Sequence, residues 1–183
     1  QLVRQRVPTP AGDYVATLRA VAELVRAIER ELGEPSSVGI GTPGAISRAT
    51  GLLKNANSTC LNGRPVKQDL ETLLGREVRI ANDANCFALS EATDGAARDA
   101  EVVFGVILGT GVGGGVAVSK HLLIGANAIA GEWGHNPLPW ISAEEFPGPR
   151  CSCGRLGCIE QFVSGTALAA DHARATGKTL APA

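Results

Sequence analysis

A chain of 183 residues, 44% of them hydrophobic and with a formal net charge of −1, is sized for one domain or parts of two and can fill a core. The near-neutral charge gives no reason to expect nucleic acid or an anionic membrane as a partner, and no stretch approaches the roughly 20 apolar residues of a membrane helix. The five cysteines, an odd count, do not suit a closed disulfide framework, and a start at Gln1 with no methionine leads us to expect that the native N-terminus lies upstream.

Residues Asp13–Leu32 read as an amphipathic helix, because Leu18, Val21, Val25, Ile28 and Leu32 recur at steps of three and four. Asp13 suits the N-cap and Gly33 the stop. Ser37–Ile40 is a short apolar strand that enters the turn Gly41-Thr42-Pro43-Gly44. Pro65–Leu74 reads as a second helix, with proline at its start and Gly75 after its end. Val78–Ala81 is a strand running into Asn82-Asp83-Ala84-Asn85, and a third helix is expected from Asn85 to about Asp94. The small, polar run Asp94–Ala100 marks a boundary, dividing residues 1–98 from 99–183. Val102–Leu108 is a continuous apolar strand, Gly109–Gly115 a tight turn, and a return strand starts over Gly115–Val118. Residues 125–158 read as irregular, and Ile159–Thr176 as helical but re-aimed near Ser164-Gly165.

Four groups could do chemistry. In Gly109-Thr110-Gly111-Val112-Gly113-Gly114-Gly115 the backbone can turn sharply and present N–H groups to a phosphate. No helix follows the glycines, as a dinucleotide site needs, and there is no Gly-Lys-Ser/Thr. A glycine hairpin without a ligand fits the same pattern. His135, Cys151, Cys153 and Cys158, spaced H-x15-C-x-C-x4-C, match a closed tetrahedral zinc site, with Gly154 and Gly157 letting the loop fold back; an exported protein could hold a disulfide there instead. Asp83, flanked by Asn82 and Asn85 at a strand's C-terminal end, can accept a proton from a substrate hydroxyl or cap the following helix. Glu132 and Glu160 bracket the cysteine cluster, either as solvated surface or as hydrogen-bonding groups for a polar ligand such as a sugar. Cys60 and Cys86 read as small buried hydrophobes, and Trp133 and Trp140 as packing around the cysteine loop. Asn57-Ser58-Thr59 matches a glycosylation sequon, which a cytoplasmic chain does not use.

The order of these motifs resembles the ROK family (repressors, open reading frames, kinases) of sugar kinases. The carriers are the strand-end Asn82-Asp83, the Gly109–Gly115 hairpin, Gly131-Glu132-Trp133-Gly134-His135, and the Cys-x-Cys-Gly-x-x-Gly-Cys-x-Glu run ending at Glu160. Within it, Lys54–Thr59, Leu61-Asn62-Gly63, Ala81–Cys86 and Gly134–Trp140 look most like bacterial fructokinases. The resemblance implies an α/β, actin-like (ribonuclease-H-like) ATPase fold with two lobes, incomplete at both ends. It implies Asp83 as general base, and Asn82, Asp83, Glu132, His135, Glu160, Gly44 and Asn57 as sugar contacts. Gly109, Thr110, Gly111, Val112, Gly113, Gly114, Gly115, Val116, Ala117 and Val118 match the hairpin for the ATP phosphates. His135, Cys151, Cys153 and Cys158 match the ligands of a structural zinc ion. The implied activity is Mg2+-dependent phosphorylation of a hexose by ATP, D-fructose to fructose 6-phosphate, in a cytoplasmic enzyme that is a homodimer when complete. The chain lacks the family's opening Asp-x-Gly-Gly-Thr-Lys hairpin and its adenosine-contacting glycines, so the fragment alone is expected to be inactive. Rival readings are a kinase for N-acetylglucosamine or another hexose, a sugar-responsive repressor of the same family, and a zinc-stabilised interaction module.

Overall fold

A computed structural model describes residues 1–180. Helices and strands alternate in two compact units, Gln1–Asp83 and Ala84 onward.

In the first unit α1 spans Tyr14–Leu32. The Asp13 side chain accepts from the Ala16 N–H at 2.9 Å, which satisfies one orphan donor of the first turn. Gly33 closes the helix at φ 79° and donates to Glu29 O. Strand β1 (Val38–Thr42) is followed by a small hairpin of two-residue strands, β2 (Ala45–Ile46) with β3 (Leu53–Lys54), too short to leave a period-2 pattern. A 3-10 turn, Thr59–Leu61, leads to α2 (Val66–Leu74), which ends at Gly75, φ 68°. Strand β4 (Val78–Asn82) then pairs parallel with β1, from Val38↔Val78 to Thr42↔Asn82. One core joins these elements: Leu18, Val38, Leu53, Leu61, Val66, Leu70 and Val78 are buried. Tyr14 ties α1 to α2 by donating to Asp69 at 2.5 Å. Its burial and this bond push the phenol pKa upward, and the Arg64 guanidinium lies 5.3 Å from the ring centroid.

The second unit opens with α3, Asp83–Thr93, whose first residue still belongs to the first unit. Ala84, Ala88 and Ala92 make its buried face. Strands β5 (Val102–Leu108), β6 (Val112–Val118) and β7 (His121–Leu122) form an antiparallel sheet in that order. After a long irregular stretch come α4 (Glu160–Val163) and α5 (Gly165–Thr176), broken at the expected Ser164-Gly165.

Three local expectations shift. The division between units precedes the expected boundary over 94–100, because the small face of α3 packs on the glycines of β5 and β6 and so joins the second unit. The third helix starts at Asp83, not Asn85. The return strand starts at Val112, so Gly113, Gly114 and Gly115 are strand interior and the turn is only Gly109–Gly111.

Leu53 is fully buried in this core. Leu53→Ala should lower unfolding stability by about 2–5 kcal/mol in denaturant titrations, from lost transfer energy and the cavity left behind.

Glu29 gives a pH dependence. The Ser36 N–H donates to its carboxylate at 2.9 Å and Arg76 pairs with it at 2.6 Å, which together hold its pKa below the usual carboxylate range. A depressed pKa contributes stability above the unfolded value, about 4.3, and loses it as pH falls through the folded value. Wild type should therefore exceed Glu29→Gln in stability at about pH 7 and converge with it near about pH 3, as measured by urea unfolding.

Candidate functional site

The metal-ligand expectation rests on four side chains, and the fold gathers all four. One ligand atom from each of His135, Cys151, Cys153 and Cys158 lies within 4.8 Å of every other. Cys151 Sγ is 3.3 Å from His135 Nδ1, and Cys153 Sγ is 3.6 Å from Cys158 Sγ. Bond lengths of about 2.3 Å to sulfur and about 2.0 Å to nitrogen in a tetrahedron place ligand atoms about 3.5–3.8 Å apart, so this donor set fits such an ion. All five cysteines are free, and a 3.6 Å separation is far beyond a disulfide bond. The loop closes by backbone means: Gly154 and Gly157 take φ 88° and 68°, and Cys151 N–H donates to Arg155 O at 2.8 Å. Burial pushes the Cys158 thiol up to about 12, whereas Cys153, reached by the Arg155 backbone, is held below the ordinary thiol value.

The glycine hairpin lies against the same loop. Gly109–Gly111 is its turn, with Leu108↔Val112 as the last strand pair. Gly109 N–H donates to Gly111 O at 2.9 Å, and Val112 N–H to Glu160 Oε2 at 2.9 Å. Among the described residues, the N–H groups of Thr110 and Gly111 have no acceptor within the protein. Two adjacent donors at a turn are the start of an anion nest. Val116, Ala117 and Val118 lie at the far end of the strand, opposite Phe104, Val103 and Val102.

Gly114 and Gly115 have a second use, close packing. A Cβ on Gly115 would sit 2.6 Å from Ala84 O, one on Gly114 3.0 Å from Gly131 O, and one on Gly131 2.2 Å from Gly114 O. A Cβ on Gly134 would meet Val112 O at 2.4 Å. The strand is thus pressed between α3 and the Gly131–His135 segment. Trp133 secures that segment: its Nε1 donates to Gly113 O at 2.9 Å, and its ring meets Phe104 edge-on at 6.1 Å.

Glu132 is exposed at the start of this segment, and His135 is half-buried, with Nδ1 turned to Cys151 and Nε2 on the other side of the ring. Glu160, the first residue of α4, bridges the two features: Oε2 takes the hairpin N–H while Oε1 is 3.9 Å from Cys151 Sγ. In the first unit Asp83 is exposed in the first turn of α3, directly after β4. Asn82 Nδ2 donates to Gly44 O at 3.0 Å, so the ends of β1 and β4 are joined at the two residues expected to meet a sugar. Gly44 is there for a backbone reason as well: φ is 74°, and a Cβ would lie 2.3 Å from Lys54 O. Asn57 is exposed and lines, with Thr42 and Pro43, a cleft of about 560 Å³.

Two expectations fail. Trp140 is 98% exposed and packs on nothing, because its backbone turns out at φ 53°. Cys86 is exposed, since the buried face of α3 belongs to Ala84, Ala88 and Ala92. What sequence reasoning missed is the role of Gly165 and Thr166, which bond to the hairpin turn; the helix break at Ser164-Gly165 was their only signal.

A four-ligand Cys/His cluster on a loop clamped to a glycine hairpin, carried on an α/β frame of two units, belongs to the actin-like ATPase fold class. The chain belongs to the ROK family, whose model matches residues 1–182. It is 46% identical over 169 residues to N-acetyl-D-glucosamine kinase of Salmonella typhimurium, which covers 90% of this chain and 56% of that one. Among solved structures it is similar to the ROK hexokinase of Thermus thermophilus (35% identity, TM-score 0.76, covering 95% of this chain and 56% of that one). A ROK glucokinase of Streptomyces griseus, in complex with glucose and AMPPNP, aligns at 31% identity and TM-score 0.74 over 93% of this chain and 53% of that one. The chain thus spans little more than half the length of these relatives. A ROK transcriptional regulator, at 22% identity and TM-score 0.76, shares the fold. No helix among the described residues is long and apolar enough to cross a membrane.

The cluster predicts one metal equivalent per chain, measured by elemental analysis of protein purified without chelator. Cys151→Ser should lose it. At a roughly hundredfold excess over its Kd the ion should stabilise the loop-bearing unit by about 2.7 kcal/mol, read as a drop in melting temperature on chelation.

Proposed function

We propose that the complete protein is an ATP-dependent hexose kinase with D-fructose as acceptor and fructose 6-phosphate as product. The observation that carries the kinase reading is the paired Thr110 and Gly111 N–H donors on a hairpin clamped to the loop that bears Glu132 and His135. Its support from relatives is the glucokinase solved with glucose and AMPPNP. Fructose rests on the sequence likeness of Lys54–Thr59, Leu61-Asn62-Gly63, Ala81–Cys86 and Gly134–Trp140 to bacterial fructokinases.

In this reading Asp83 accepts the proton of the attacking hydroxyl, and that oxygen displaces ADP from the γ-phosphoryl in line. Asn82, Glu132, His135 and Glu160 orient the sugar, with Gly44 and Asn57 as further contacts, so much of the rate comes from positioning. Thr110 and Gly111 N–H donate to phosphate oxygens, where charge develops. Magnesium bound with ATP would neutralise phosphate charge. The metal at His135, Cys151, Cys153 and Cys158 would be a zinc ion that shapes the loop and performs no step, because four protein ligands leave no open position.

A second reading has its own observation. The relative at 46% identity is an N-acetyl-D-glucosamine kinase, which makes that amino sugar the alternative acceptor. The regulator reading draws only on shared fold, and the intact Gly109–Gly115 run favours the kinase.

A coupled ADP-release assay of the complete protein against fructose, N-acetyl-D-glucosamine, glucose and mannose decides the acceptor, and turnover of none of them removes the kinase reading. Asp83→Asn should lower kcat at least about a hundredfold while sugar affinity by calorimetry stays within a few fold. Near-wild-type turnover would reject Asp83 as the base.

A further inference from the structure

Both carbonyls at the tip of the glycine hairpin are held from outside the sheet, by one helix end. Gly165 N–H donates to Gly109 O at 2.7 Å, and Thr166 Oγ1 donates to Thr110 O at 2.8 Å. Beside them Glu160 takes the Val112 N–H. The holder is itself built: Ser164 is buried, caps α5 by accepting from Ala167 N–H at 3.1 Å, and meets Thr166 Oγ1 at 3.0 Å. Gly165 leaves room for the approach, since a Cβ there would lie 3.2 Å from Gly109 O.

The consequence follows from the planar trans peptide, in which C=O and N–H point in opposite directions. The carbonyl of Gly109 shares a peptide plane with the N–H of Thr110, and that of Thr110 with the N–H of Gly111. Holding both carbonyls toward α5 turns both N–H groups away from it, side by side. These are the two donors of the turn that have no acceptor within the protein among the described residues.

We propose that the N-terminal turn of α5 is the positioning element of the nucleotide site. Gly165 N–H and the Thr166 hydroxyl fix the two tip peptides so that Thr110 and Gly111 present a preset pair of donors to a phosphate oxygen of ATP. Thr166 touches no substrate in this scheme and acts through the hairpin. The inference rests on the kinase reading for its ligand, but its geometry lies wholly within the second unit. A free tip would sample both peptide orientations and lose part of its binding energy in ordering them, which is the general gain from preorganisation.

The test uses the complete protein and a non-hydrolysable ATP analogue, with affinity read by calorimetry. Thr166→Val keeps the side-chain shape and removes the hydroxyl. One lost hydrogen bond should weaken analogue binding about three- to tenfold. Sugar affinity and metal content should stay unchanged, melting temperature should fall by no more than the few degrees one hydrogen bond is worth, and Thr166→Ser should restore nucleotide affinity. Gly165→Ala, which crowds Gly109 O, should weaken the analogue further. Hydrogen exchange on the wild type gives a readout independent of any variant: the Thr110 and Gly111 amides should gain protection when the analogue binds. Unchanged analogue affinity in Thr166→Val, equal losses for sugar and nucleotide, or no protection at the two amides would overturn the proposal. If no sugar is turned over, the kinase reading fails, while the analogue titration still decides this one.

Discussion

The second unit is organised by contacts too close to admit a side chain. Between β6 and the Gly131–His135 segment, backbone meets backbone: a Cβ on Gly131 would lie 2.2 Å from Gly114 O, and one on Gly134 2.4 Å from Val112 O. The opposite face is as tight, with Ala84 O 2.6 Å from a Cβ on Gly115. Such distances leave no slack, so the three layers can shift only together, as close-packed interiors do. Everything with chemical potential in this unit hangs from that stack: the hairpin tip at one end of β6, and His135 at the end of the pressed segment.

The metal cluster and the hairpin are therefore neighbours in a mechanical sense. Glu160 stands two residues after Cys158, and its carboxylate reaches a hairpin N–H. Its own N–H donates to Gly134 O at 2.9 Å, just before His135. A shift of the cysteine loop is thus transmitted to the hairpin through short, directional bonds. The first unit solves a simpler problem. Parallel pairing of β1 and β4 brings Thr42 opposite Asn82, and the Asn82 amide locks the following turn at Gly44.

Much of this was legible in the chain itself, and the reasons are local. The helix at Tyr14–Leu32 carries its periodicity, cap and stop in adjacent residues, so its limits matched. The cysteine spacing announced a four-ligand cluster because ligands of one ion crowd in sequence as well as in space. The glycines were harder. Turn and close-packing glycines look alike in a sequence, and Gly113–Gly115 proved to be strand interior, where the partners that demand the smallness of Gly114 and Gly115 are far along the chain, at Gly131 and back at Ala84. Trp140 shows the same limit from the other side: a large aromatic residue suggests packing, yet a left-handed backbone sends it into solvent. Thr166 left no sign beyond the helix break beside it, since one hydroxyl bonding to a carbonyl 56 residues earlier makes no pattern of its own.

The loop between His135 and Cys151 has an evolutionary consequence. Its two ends, His135 and Cys151, belong to one cluster of four metal-ligand side chains, so with an ion bound there the intervening residues would carry little of the burden of closing it. Loop-closure entropy rises slowly with length, about 0.6 kcal/mol per doubling. Residues can be inserted, deleted or exchanged along this exposed stretch while the pins keep Glu132 and the hairpin where they are. An ion held by those four side chains would then serve as a hinge post for novelty. It lets the rim of a site be rewritten for a new ligand without refolding the machinery beneath.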